Sequence, residues 1–388
     1  MGAAAGILFT KDATSQIEEE MRDAFGVERA WLVSSGTAAL TLSLMALKGH
    51  RPQTDVVIPA YTCFSVPAAV MRAGLRPVPC DIDPATFDYE EDQLARTIGP
   101  NTLCVVAHNL FGIPANIERI RPLCRPYDCA IVEDAAQAMG VKSDGEWLGT
   151  RGDVGIFSLG RGKPITSGSG GVIVTKSPRL AAAIEEQCAR LPTPSRVQMI
   201  KDWLKVALMA VFVRPSLFWV PSAVPWLRLG ETVFPKHISL RRLSRMQAAL
   251  LRGWRPQIDR ANRQRAGTAM DLARRGGFEL PCGPSHPYLR MPVFAANPAE
   301  RNRRLADAQA RGLGFSRAYP GPVSEIPEVE AVIGPRQFAN ALLVATHLLT
   351  VPTHHWVSPK DADAILACLS QSEWRPGLQT RRAWRPGL

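Results

Sequence analysis

Val132-Glu133-Asp134-Ala135-Ala136-Gln137 and Phe157-Ser158-Leu159-Gly160-Arg161-Gly162-Lys163-Pro164-Ile165-Thr166-Ser167-Gly168-Ser169-Gly170-Gly171 are the two segments from which the rest of the chain is read. The first is an apolar strand that ends on an acid. The second is a strand that runs into a glycine- and hydroxyl-rich turn holding one lysine, 29 residues after Asp134. A lysine in such a turn, downstream of an acid at a strand end, is what pyridoxal phosphate (PLP) chemistry needs. The amine forms a Schiff base with the cofactor aldehyde, and the carboxylate keeps the pyridine nitrogen protonated so that the ring accepts electrons.

Working outward, short apolar runs alternate with helical patterns. Trp31-Leu32-Val33 reads as a strand that ends at Ser34-Ser35-Gly36-Thr37, and Ala38 to Leu47 reads as a helix. Asp55 to Pro59, Arg76 to Pro79, Leu103 to Val106, Ala130 to Val132, Val154 to Phe157 and Gly171 to Thr175 continue the strand series. Apolar strands alternating with helices predict an α/β domain around a largely parallel sheet. Ligands gather at the carboxyl ends of such strands, where both Ser35-Gly36-Thr37 and Asp134 stand. The Ser-Gly-Thr turn joins a strand end to a helix start, so its amides form a ready anion site. The same residues would serve as a plain N-cap if nothing bound there. Asp134 alone would be a cap or salt-bridge partner, and Lys163 alone a surface lysine. The reading rests on their order and spacing together.

A second region begins near residue 256, with helical patterns at Asp259–Arg274, Pro298–Arg311 and Pro359–Leu369 and strands at Leu289–Phe294 and Leu348–Pro352. The expected organisation is a large cofactor domain over 1–255, with an apolar insertion about 200–230, and a smaller C-terminal α+β domain over 256–388. The chain ends on a repeat, Trp374-Arg375-Pro376-Gly377-Leu378 and Trp384-Arg385-Pro386-Gly387-Leu388, read as a flexible tail.

The 388 residues carry a net charge of +11, which favours anionic ligands or surfaces. From Lys236 to Arg265 there are nine Lys or Arg and one acid, Asp259. Within this segment, Arg241 to Arg265 reads as a solvated helix face or as a binder of nucleotide or lipid diphosphate. No helix-turn-helix or other nucleic-acid reader accompanies it, so nucleic acid is not an expected partner. The eight cysteines include no CxxC pair, which suits a reduced cytoplasmic protein with mostly buried thiols. The N-terminus lacks a basic region before its apolar run, so a signal peptide is not expected. His354-His355 lack an acidic cluster, and no metal is expected, although His355 or Trp356 could touch substrate. The apolar stretch 203–226 is broken by Lys205, Arg214 and three prolines, too often for a membrane span. Burial against the body or in a dimer interface, or shallow insertion at a membrane surface, are the readings left.

The segments from Ser34 to Thr175 resemble the DegT/DnrJ/StrS family of PLP-dependent sugar aminotransferases, of fold type I. The matching residues are Ser35–Leu40, Pro59-Ala60-Tyr61-Thr62, Ala73–Asp83, Asn109–Pro114, Glu133–Ala138 and Gly152–Ser158, running on to Lys163. The resemblance weakens through Ser244–Ala249 and Tyr319-Pro320. It implies a mostly parallel seven-stranded sheet sandwiched by helices, and a homodimer with its active site at the interface. It also implies roles: Lys163 as the Schiff-base lysine and proton shuttle, Asp134 at the ring nitrogen, Gln137 at the ring hydroxyl side. Ser35, Gly36, Thr37 and Ser158 would surround the phosphate, and Tyr61 or Phe64 would stack on the ring.

The chain departs from the family pattern at Cys63, where an aromatic is usual, at Gly160 for His, and at Ser169 for Glu. Leu240 stands where the partner subunit usually supplies Asn. The retained lysine argues against the dehydratase branch, which has His there. The implied reaction is transfer of an amino group, with glutamate as donor, to a nucleotide-linked keto-sugar in amino-sugar, polysaccharide or secondary-metabolite biosynthesis. Two other readings remain: a PLP enzyme acting on a lipid-linked or cell-envelope sugar at the membrane, and a non-catalytic PLP-fold regulator or binding protein.

Overall fold

In the computed structural model, residues 13–49, 51–212 and 232–370 are described. The repeated tail and residues 213–226 of the apolar stretch lie outside them. Helix α1 (Ala13–Phe25) leads into strand β1 (Arg29–Val33), α2 (Gly36–Lys48), β2 (Asp55–Pro59), α3 (Ser65–Arg72), β3 (Arg76–Cys80), α4 (Glu91–Thr97), β4 (Thr102–His108), α5 (Ile117–Cys124) and β5 (Ala130–Asp134). A two-residue hairpin, β6 (Lys142–Ser143) and β7 (Glu146–Trp147), precedes β8 (Val154–Ser158), β9 (Gly171–Thr175), α6 (Pro178–Ala189) and α7 (Arg196–Phe212).

Seven strands form one sheet in the order β1-β9-β8-β5-β4-β2-β3. The pairs β2–β3, β2–β4, β4–β5 and β5–β8 are parallel, and β9 runs antiparallel to both its neighbours. The seven-stranded, mostly parallel sheet expected from the sequence is therefore present.

Side chains alternate across it as the pleat requires. Ile58, Val106 and Val132 face a core shared with α2, α3 and α6. Val57, Val105 and Ile131 face a second core shared with α4 and α5. Burial on both faces is why these strands read as unbroken apolar runs rather than as alternating patterns. Helix α2 is apolar nearly all round because it is enclosed, and Ser35 caps it by accepting the Ala38 amide at 3.0 Å.

A separate antiparallel pair, β10 (Arg290–Phe294) with β11 (Leu348–Pro352), packs with the helices Pro298–Ala310 and Pro359–Ser370 around its own core. The 23-residue helix Trp254–Gly276 contributes Trp254 and Ile258 to a core under the main sheet and Leu272 to the core around β10 and β11.

Candidate active site

Asp134 is the last residue of β5, half-buried, with Oδ1 accepting the Ala136 amide at 3.0 Å. His108 ends the adjacent strand β4 and lies opposite Asp134 in the ladder. Its Nε2 donates to the Phe87 carbonyl at 2.8 Å, which leaves Nδ1 buried with no hydrogen-bond partner. Lys163 lies in the loop between β8 and β9, half-buried.

Enclosure lowers the lysine pKa from its ordinary value; the neighbouring Cys63 and Asp134 oppose this, and Arg265 adds to it. Enclosure raises the Asp134 carboxyl, although the Ala136 amide, Lys163 and His108 pull it down. Loss of water dominates at both groups, so each resists charging in the open cleft. A cationic ring nitrogen beside Asp134 would restore its ionised form. The pair therefore fits the cofactor that the sequence suggested.

The phosphate cradle is built by close backbone approach. Gly36 and Thr37 are the first residues of α2, where amides have no intrahelical partner, and Ser35 caps only Ala38. A Cβ at Gly36 would lie 3.0 Å from the Ser158 Cβ, so the turn and Ser158 are in contact. Ser158 Oγ accepts the Gly160 amide at 3.3 Å and keeps its proton to donate.

Residues 239–243 run beside the end of β1: Ser34 Oγ donates to the Ser239 carbonyl at 2.6 Å, and the Leu243 amide donates to Leu32. Between them opens a cavity of about 150 Å³ lined by Ser35, Thr37, His237 and Arg241. Two nitrogen-bearing side chains thus line the same cavity as the anion turn, Arg241 being ion-paired to Asp202. Only the basic bias of residues 236–265 hinted at them in the sequence.

The ring contacts divide. Gln137 accepts the Phe111 amide at 3.1 Å and donates to the Tyr319 hydroxyl at 2.9 Å. The first bond braces Phe111, whose φ of 58° is rare for a non-glycine residue. Tyr61 lies deeper than Phe64. Its ring is wholly buried, 5.3 Å from that of Tyr319, and its hydroxyl donates to the Arg317 carbonyl and accepts the Tyr319 amide. Phe64 stays half-exposed at the start of α3.

The departures from the family pattern have local partners. Ser169 Oγ accepts from the buried Gln247 amide at 3.0 Å, and Leu240 packs against the main core. His355 and Trp356 lie exposed, their rings 4.6 Å apart and tilted by 39°.

Residues 3–211 match the profile of the DegT/DnrJ/EryC1/StrS aminotransferase family, over half of the chain. The protein belongs to this family. The GDP-perosamine synthase of Vibrio cholerae is 31% identical over 188 residues, 48% of this chain and 50% of that protein. The matched stretch spans half or less of each curated relative compared. Among solved structures, S. venezuelae DesV superimposes with a TM-score of 0.75 at 24% identity, covering 95% of this chain and 92% of that one. The E. coli GDP-4-keto-6-deoxy-D-mannose-3-dehydratase with bound hydrated PLP has a TM-score of 0.73 at 18% identity, covering 95% and 94%. These two likenesses show that the fold is that of the family's solved members.

Proposed function

We propose that this protein is a PLP-dependent aminotransferase that moves an amino group from an amino acid, glutamate, to a keto-sugar carried on a nucleotide. The observation that carries the reading is the convergence of Asp134 and Lys163 at the carboxyl ends of a parallel sheet, beside the anion turn Ser35–Thr37. When bound, PLP supplies the electron sink that lets an amino group leave the donor and be stored for the acceptor.

The chain's own residues do the rest. The Gly36 and Thr37 amides with Ser158 hold the phosphate, and Arg241, ion-paired to Asp202, lines the same cavity with His237. Asp134 keeps the proton on the ring nitrogen. Lys163, its pKa lowered by enclosure, would carry the proton from the donor Cα to C4′ of the bound cofactor, and in the return half-reaction from C4′ to the acceptor carbon. The V. cholerae relative's name, a perosamine synthase acting at the GDP-sugar level, supports the substrate class. Eight free cysteines, six of them buried, support work in the cytoplasm, and the family resemblance supports a homodimer.

The test is the visible spectrum of the full chain with PLP, before and after glutamate, beside Lys163→Ala. A yellow protein that bleaches with glutamate and recovers with a nucleotide-linked keto-sugar is the expected result, with the variant lacking the band. A protein that takes up no PLP refutes the reading.

A further inference from the structure

Helix α7 packs through one side only. Asp202 faces inward, ion-paired to Arg241 at 3.1 Å and hydrogen-bonded to Gln198, and Val206 lies against the Lys163 loop, where a Cβ at Gly168 would fall 2.5 Å from its Cγ2. The opposite side is apolar. Val197, Ile200, Leu204, Leu208 and Val211 recur at helical spacing with Trp203 at the margin, and these six are 49–65% exposed. Over the described residues 203–212, Trp203, Leu204, Leu208 and Val211 are therefore not buried against the body of their own chain. Exposed Lys201 and Lys205 flank the stripe, exposed Arg196 starts it, and the helix's one acid, Asp202, is turned away from it. A contiguous apolar stripe of this kind on a folded protein marks an interaction surface.

We propose that this face of α7 docks the protein on an anionic lipid bilayer. An apolar helical face rimmed by lysines and bare of acids is complementary to a surface that offers both hydrocarbon and negative headgroups. Self-pairing of the face fits it poorly. Joining the face to itself about a two-fold axis would bring like cations together with no carboxylate between them. The net charge of +11 acts in the same direction over longer range. In sequence, the chain that follows α7 keeps the same chemistry: Val213 to Gly230 includes Phe218, Trp219, Trp226, Arg214 and Arg228 and no acid. Because α7 rests on the loop that holds Lys163, docking brings that loop within roughly one helix diameter, ~10 Å, of the lipid. The proposal does not depend on the reaction assigned above.

The experiment is co-sedimentation of the full-length protein with phosphatidylcholine vesicles, with and without phosphatidylserine. The wild type is expected to bind the serine-containing vesicles and to release as salt rises. Combined Ile200→Glu, Leu204→Glu and Leu208→Glu should weaken binding at least about tenfold. Lys201→Glu with Lys205→Glu should abolish the preference for anionic vesicles. PLP uptake and the urea midpoint of each variant show that it is folded, so lost docking is separable from lost structure. Variants that bind as the wild type does would overturn the proposal. So would amide exchange across 197–211 that slows with protein concentration in the absence of lipid, since a second copy would then cover the stripe.

Discussion

Replacing Gly171 with alanine tests whether the anion turn depends on backbone contact. Gly171 opens β9 between Val33 of β1 and Ser158 of β8. A methyl group there would lie 2.5 Å from the carbonyl carbon of Ser35 and 2.7 Å from the Gly36 nitrogen. Carbon atoms in contact settle at ~3.5–4.0 Å, so the deficit is about 1 Å against main-chain atoms that have no rotamer to swing aside. Gly171 is not among the glycines with positive φ, so the penalty is steric rather than conformational.

Overpacking a fixed site costs about 1–3 kcal/mol, and a displacement of about 1 Å in a positioned group is worth roughly a hundredfold in function. Urea unfolding of the cofactor-free protein measures the first effect, and PLP titration by absorbance measures the second. Gly145→Ala is the control. Its φ of 83° strains the backbone, but nothing lies within 4 Å of the new methyl, so stability falls while PLP affinity holds. If Gly171→Ala leaves the midpoint unchanged and PLP affinity within about twofold, the cradle argument is wrong.

Three further outcomes are expected. Lys163→Ala should still bind PLP through the phosphate cradle but lose at least about a thousandfold in transamination, read by coupled assay of the released keto acid. Glu133, fully buried, accepts from Asn109 at 3.0 Å and from the Arg151 and Gly152 amides at 2.8 and 3.2 Å. Glu133→Ala strands three donors and should cost about 3–5 kcal/mol in urea unfolding; a loss under about 1 kcal/mol would show that the network is incidental.

Glu18 is pushed up from 4.5 to about 7, chiefly by burial, against the Leu32 amide that it accepts. Its folded pKa lies above the unfolded one, so the native state binds the extra proton between these values and stability falls as pH rises from about 4.5 through 7. Glu18→Gln should remove that slope and stabilise the protein above pH ~7 by about 2 kcal/mol, a figure reduced for partial solvent access. An unchanged pH profile of the urea midpoint would refute it.

Strand positions were legible because a sheet buried on both faces leaves unbroken apolar runs. Asp55–Pro59 and Gly171–Thr175 occur as read, and Arg76–Cys80 and Val154–Ser158 extend one residue further. Lys163 and Asp134 were legible because order along the chain, acid at a strand end and then lysine in a glycine turn, is a local property. Tyr61 was not, since a tyrosine two residues past a strand end reads the same whether its ring faces a cleft or is sealed against Tyr319, 258 residues away. His108 escaped notice because its significance is a buried, unpartnered Nδ1 on a residue that lies opposite Asp134 only once β4 pairs with β5.

By itself, then, the sequence determined the layered α/β class, the seven strands of the sheet and the lysine-acid pair, each encoded by hydrophobic runs and residue order at short range. Tertiary structure alone decided that β9 is reversed within the sheet, that His237 and Arg241 close on the anion turn, and which side of α7 is left bare. Those are outcomes of packing between segments far apart in the chain. The free energy of bringing them together depends on the whole core and is not carried by any one of them.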